Sequence, residues 1–142
     1  MSPADAPAAS ARRALAAPAL AAGLGLAAAA LLHVRDPHGS GSYGFCPFLS
    51  LTGLPCPGCG GLRAVNDLTR GDVVAALSSN ALAVLVVAAT VVLWCVWAVR
   101  RASGDTTARM VSLSTTSGLA VLLAFGVFGV LRVTPWGAWL AP

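Results

Sequence analysis

Three stretches without a single charged residue set the pattern of this chain: Ala14–Val34, Val73–Val99 and Met110–Leu131, of 21, 27 and 22 residues. As α-helices at 1.5 Å per residue, the first would reach about 31 Å and the second about 40 Å, against a hydrocarbon core of about 30 Å. The pattern therefore predicts an all-α integral membrane protein with three transmembrane helices. The first stretch is mostly Ala and Gly with Pro18 near its start, and Arg12 and Arg13 before it also resemble the basic region of a cleaved secretory signal. It is longer than the usual apolar region of a signal, so a retained helix over 14–34 is the preferred reading. The second has length to spare, which places Val73–Ser79 at the interface and the membrane part from Asn80 or Ala81 to Val99, closed by Trp94, Trp97, Arg100 and Arg101. The third opens on the polar string SLSTTSG, carries its hydrophobic weight in GLAVLLAFGVFGVL, and ends on Arg132, Trp136 and Trp139.

The remainder is an N-terminal tail (1–13), a loop over 35–72, a short loop over 100–109 and a C-terminal tail (132–142). Composition agrees with the spans: 57% of residues are hydrophobic and 10% charged, where a soluble domain carries roughly a quarter charged. Disorder is excluded as the general state by the same apolar content. The nine Arg do not cluster with aromatics, so nucleic acid is not an expected partner. The partners implied are the lipid bilayer and, beyond it, other membrane protein subunits or a second copy of the chain. Gly23 and Gly25 in the first span and Gly118, Gly126 and Gly129 in the third would let helices approach closely. Five Arg flank the N-terminal tail and the short loop, and four, largely offset by Asp, flank the other side. Weighted towards compact segments, this favours a cytoplasmic N-terminus, with loop 35–72 and the C-terminus outside a cell membrane.

Loop 35–72 is where chemistry is concentrated, since three of the four cysteines, Cys46, Cys56 and Cys59, fall in it. His38–Gly44 reads as turning chain, and Phe45, Phe48, Leu49, Leu51 and Leu54 are suited to burial against the helices or at the interface. Gly60–Thr69 predicts a short amphipathic helix, stopped by Gly71, with Asp72 capping the next helix. Cys59 then stands at that helix's start, where free N–H groups would lower its pKa. Arg63 has two readings, an anion or thiolate partner or a surface pair with Asp67 four residues on. Asn80, at the start of the deep part of the second span, needs a hydrogen-bond partner, with a neighbouring helix the expected one. Cys95 reads as a small buried hydrophobe.

Cys56 and Cys59 form a CxxC with three open uses. The preferred one is a structural disulfide or buried thiols that fix the loop for an accessory or scaffold subunit. They can join Cys46 in a zinc or iron site completed by His33, His38 or Cys95. Or they can cycle as a redox-active dithiol. Haem attachment is excluded, because Gly60 stands where CxxCH needs histidine. No paired carboxylates, Ser-His-Asp set, HExxH or phosphate-cradling loop appears, so the sequence leans away from an enzyme.

The run CPGCGGLR from Cys56 to Arg63, the pair Gly71–Asp72 and Asn80 together resemble the bacterial membrane family known as domain of unknown function 2752. That family's mark is a Cys-Pro-x-Cys-Gly-x-Thr-Arg box, then Gly-Asp and an Asn that often precedes Pro. The resemblance covers about Cys46–Val99 and marks Cys56, Pro57, Cys59, Gly60, Arg63, Gly71, Asp72 and Asn80 as family-like positions. Leu62 stands where Thr is usual, and Ala81 where Pro is common. The resemblance implies membrane architecture and an important box, with no activity attached.

Overall fold

A computed structural model of the chain describes residues 5–39, 43, 46–111 and 114–137. Among them the secondary structure is helical throughout: α1 (Asp5–Val34), α2 (Pro47–Thr52), α3 (Gly61–Thr69), α4 (Val73–Ala102) and α5 (Thr115–Arg132). Three stretches are long and apolar enough to cross a membrane, Ala14–Val34, Val73–Ala102 and Thr115–Arg132. Their large side chains stay uncovered, with Leu24 73% and Leu122 69% exposed. Water would solvate such surfaces poorly and lipid chains solvate them well, so the helices gain from a bilayer what they lack in a core.

The second long helix is not continuous. Asn80 leaves helical geometry at φ −168° and ψ 97°, an extended conformation that separates 73–79 from 81–102. Its side chain accounts for the break: Asn80 Oδ1 accepts from the backbone N–H of Ala83 at 2.9 Å, which makes Asn80 the N-cap of the part that follows. Those 22 residues rise about 33 Å, close to the hydrocarbon thickness. The 73–79 part is started by Asp72, whose Oδ1 accepts from Ala75 N–H at 2.8 Å. Gly71 before it takes φ 78°, which ends α3.

The apolar run of the third span also begins later than its lack of charge suggests. Ser114 N-caps α5 in a reciprocal box with Ser117, each side chain accepting from the other's backbone N–H. The polar string at its start is therefore partly a cap. α2 is an element that hydrophobic pattern alone does not announce. Pro47 at its first turn and Gly53 in the left-handed region at φ 70° bound its six residues. Phe48, Leu49, Leu51 and Leu54 are 44–86% exposed, so of the two expected placements they are not buried against the helices, and the membrane interface is left. Six residues of helix hold them outward. Phe45, most of the glycine-serine turn before it and Trp139 lie outside the described residues.

The chain forms two compact units. One, from the first part of α1 through residue 28 and from 88 to 112, is held by indole and guanidinium donors on backbone carbonyls. Trp94 Nε1 donates to Pro18 O at 2.9 Å, Trp97 Nε1 to Ala108 O at 2.9 Å and Arg101 Nε to Ala14 O at 3.2 Å. Cys95 in this unit is exposed, a correction to the buried role its apolar neighbours suggest. On a spanning helix that surface faces lipid rather than a protein core. The other unit takes residues 29–87 and 113–142 and contains the whole cysteine loop. Within it Asn66 on α3 donates to Leu32 O at 2.6 Å, which ties α3 to the end of α1.

Because Asn80 is an extended N-cap, Ala81 occupies the first helical position, where proline is preorganised and the residue before it should be extended. Ala81→Pro is expected to stabilise the folded chain by about 0.4–1 kcal/mol, through loss of freedom in the unfolded state. Thermal unfolding in detergent micelles measures this; a lowered midpoint would contradict the cap.

Candidate functional site

The backbone of the CPGC segment makes a tight turn. Cys59 N–H donates to Cys56 O at 3.1 Å and Gly61 N–H to Gly58 O at 2.9 Å. Gly60 follows at φ 80°, a left-handed N-cap for α3 that a side chain would strain. This folds Cys59 back over Cys56 and brings their sulfurs to 2.7 Å. Cys46, just before α2, places its sulfur 3.6 Å from Cys56 Sγ, and all three sulfurs lie within 4.8 Å of one another. Cys56 is thus the shared neighbour. All three side chains are half-buried and carry free thiols.

A turn this tight points several carbonyls the same way, and they are satisfied by two distant side chains. Arg132, at the end of α5 and only 2% exposed, donates from Nη1 to Cys56 O at 3.0 Å and Cys59 O at 2.9 Å. Its Nη2 reaches Ser79 O at 3.4 Å, and the guanidinium stacks 5.2 Å from the Phe128 ring centroid. Asn80 Nδ2 donates to Pro57 O at 2.9 Å and again to Cys59 O at 3.0 Å. The planar fork of an arginine suits paired carbonyls, and a charged donor makes each bond stronger than a neutral one. Pro57 lies against α5 at Gly129, where a Cβ would come within 3.0 Å of the proline ring. Of the glycines assigned to close packing, Gly129 therefore has that role. A Cβ at Gly23, Gly25, Gly118 or Gly126 would meet nothing within 4 Å.

Around this turn the thiols differ. Burial pushes the Cys59 thiol up to about 12, assisted by the Cys56 thiol beside it. This reverses the expected activation by the α3 N-terminus. Cys59 Sγ turns back to accept from Cys56 N–H at 3.2 Å, with two other sulfurs beside it. Cys46 moves the other way, held below the ordinary thiol value of 9.0 mainly by the Leu49 backbone N–H and then by the Cys56 thiol.

The other sequence candidates are spread through a neighbouring polar group. Arg63 Nε donates to Pro37 O at 3.4 Å. Neither its thiolate role nor its pairing with Asp67 is what the geometry uses. Asp67 is buried on α3, accepts from Ser79 Oγ at 2.8 Å and lies 3.3 Å from His38 Nε2. His38 Nδ1 is 2.8 Å from Asp36, whose carboxyl is held below its usual range chiefly by the backbone N–H and ring of His38. His33 is engaged with Thr69 at 2.9 Å. Neither histidine joins the thiols, nor does Cys95, and the three sulfurs have no fourth His, Cys, Asp or Glu among the described residues. Asn80 binds the cysteine turn rather than a neighbouring helix, because the turn presents carbonyls that would otherwise lack donors. Arg132 is the residue that sequence reasoning missed. Its position after an apolar span fits an interfacial end equally well, and only its approach to residues 76 positions earlier reveals the role.

Arg132→Met should destabilise the chain by about 3 kcal/mol or more, since it removes the charge-assisted bonds to Cys56 O and Cys59 O and leaves each with a single neutral donor. Arg132→Lys should recover only part of this, read by thermal unfolding together with faster alkylation of Cys59. The pH dependence follows from the raised Cys59 value. The folded chain keeps a proton that the unfolded chain releases above 9.0, so this contribution to stability is complete below 9.0 and is lost as pH climbs towards about 12. Cys59→Ser should flatten that alkaline decline in an unfolding series from pH 8 to 12. An unchanged slope would count against the burial.

No curated protein and no solved structure matches the chain. Residues 46–94, which run from the first thiol of the cluster through the CPGC turn, α3 and the Asn80 break into the membrane part of α4, match the family described as protein of unknown function DUF2752.

Proposed function

We propose that the chain is a membrane thiol–disulfide protein in which Cys56 and Cys59 cycle between dithiol and disulfide. The observation that carries this reading is a division of labour at the turn. The carbonyls of Cys56, Pro57 and Cys59 are fixed by Arg132 and Asn80, while the sulfurs have one another as neighbours. The loop is thus held without its thiols. A disulfide across CxxC would close too short a loop to add much chain-entropy stabilisation. That weighs against a staple for an accessory or scaffold subunit. In the redox step both thiols lose their protons, the S–S bond forms, and the two electrons reduce a partner disulfide to two thiols. A loop on the outer face, which the flanking charges favour, would meet such couples in an oxidising compartment.

Zinc or iron is the second reading, favoured by three thiols within 4.8 Å of one another. Tetrahedral zinc with Zn–S bonds of about 2.3 Å holds its sulfurs about 3.8 Å apart. The 3.6 Å between Cys46 and Cys56 suits this, whereas the 2.7 Å between Cys56 and Cys59 is too short, and no fourth His, Cys, Asp or Glu joins the group among the described residues.

Titration of the purified full-length chain in glutathione redox buffers, read by mass spectrometry after thiol trapping, separates the readings. The expected result is a reversible loss of two hydrogens that maps to a Cys56–Cys59 link, with metal far below one atom per chain. Zinc or iron near one atom per chain that disappears in the C56S and C59S variants would replace this reading with the metal site.

A further inference from the structure

Resting on the dithiol reading above, we infer that Cys46 is the receiving thiol of a three-sulfur relay, which takes up a partner's disulfide and passes it through Cys56 to the Cys56–Cys59 pair. Cys56 lies closest to both of the other sulfurs, at 3.6 Å and 2.7 Å, which makes it the middle member of the relay. The partner must then enter at one of the outer members. Cys59 is unsuited: its sulfur is turned back into the CPGC turn under Cys56 N–H, and both flanking carbonyls of that turn are pinned from beneath by Arg132. Cys46 lies outside the CPGC turn, ten residues earlier in the chain and just before α2, on backbone that neither Arg132 nor Asn80 holds. The in-line approach that exchange requires is reached by rotation of this half-exposed side chain about its Cα–Cβ bond.

The steps balance as follows. The Cys46 thiolate attacks a partner disulfide, forms a mixed disulfide and expels the first partner thiolate. Cys56, giving up its proton to solvent, attacks the Cys46 sulfur, expels the second partner thiolate and leaves a Cys46–Cys56 bond. Cys59 loses its proton, attacks the Cys56 sulfur and releases Cys46 as a thiolate, with the disulfide now between Cys56 and Cys59. The partner disulfide has gained two electrons and two protons, and the chain has lost them. A partner dithiol reverses the sequence. The thiol properties agree with this order, because the low-pKa thiol is both the more ionised attacker near neutral pH and the better leaving group in the last step.

The test uses the reduced full-length chain in lipid nanodiscs, with glutathione disulfide as a small partner and insulin as a protein partner, and follows each sulfur by mass spectrometry. In the wild-type chain the Cys56–Cys59 bond should form with both or with one, and the faster partner names the source. C46S should slow that bond at least tenfold with the faster partner, while excess diamide still forms it to the wild-type extent. C59S should accumulate a Cys46–Cys56 bond, and C56S should carry glutathione on Cys46. Oxidation of C46S at the wild-type rate by both partners, or glutathione found first on Cys56 in C59S, would overturn the relay and leave the dithiol reading standing. Failure of diamide to form the Cys56–Cys59 bond in the wild-type chain would overturn both.

Discussion

Everything at the cysteine end of this molecule depends on a buried guanidinium. A CPGC turn brings two sulfurs together by bending the backbone sharply, and the same bend gathers carbonyls that an apolar setting cannot leave unpaired. Arg132 donates from Nη1 to two of them and reaches a third on α4 from Nη2. A lysine would offer a point charge without the planar guanidinium, and a neutral apolar side chain would leave Cys56 O with only the Cys59 N–H and Cys59 O with only Asn80. The arginine in turn is tolerable in this setting because its donors meet oxygens and its face meets Phe128. Charge, turn and helix end are mutually required.

Asn80 is the second support and joins two levels of structure. One end of its amide caps the membrane part of α4, and the other donates to the turn. Two donor bonds and one acceptor bond are made by the NH₂ and the oxygen of one amide group, which an ionised Asp, with no donor, and a Ser, with a single O–H, would not supply. The Asn-then-Pro pattern of the resembling family acquires a plain meaning: N-cap followed by first helical position. In this chain Ala81 fills the latter without cost to the cap.

Much of the architecture was legible from the distribution of charge. Three long charge-free stretches gave three membrane-compatible helices, Asp72 gave a cap, Gly71 a stop, and the surplus length before Asn80 marked where α4 breaks. Local chemistry was less legible. The helix start offers Cys59 the N–H groups ahead of it, while the turn directs its sulfur backwards, towards the other two thiols. Spacing of four between Arg63 and Asp67 suggested a pair, yet Asp67 is drawn to Ser79 and His38, and Arg63 to Pro37. Arg132 was hidden because sequence distance gives no sign of a contact that tertiary structure creates. α2 escaped because six residues are too few for a periodic signal.

The 76 residues between Cys56 and Arg132 also bear on how the protein is made. At ribosomal speeds of about 5–20 residues per second, the cysteines are synthesised roughly 4–15 s before the arginine that locks their turn. Until the last helix is made, the turn has Asn80 but not Arg132 to hold its backbone. Maturation of this loop is therefore a late event, completed by the final helix rather than by the segment that bears the cysteines.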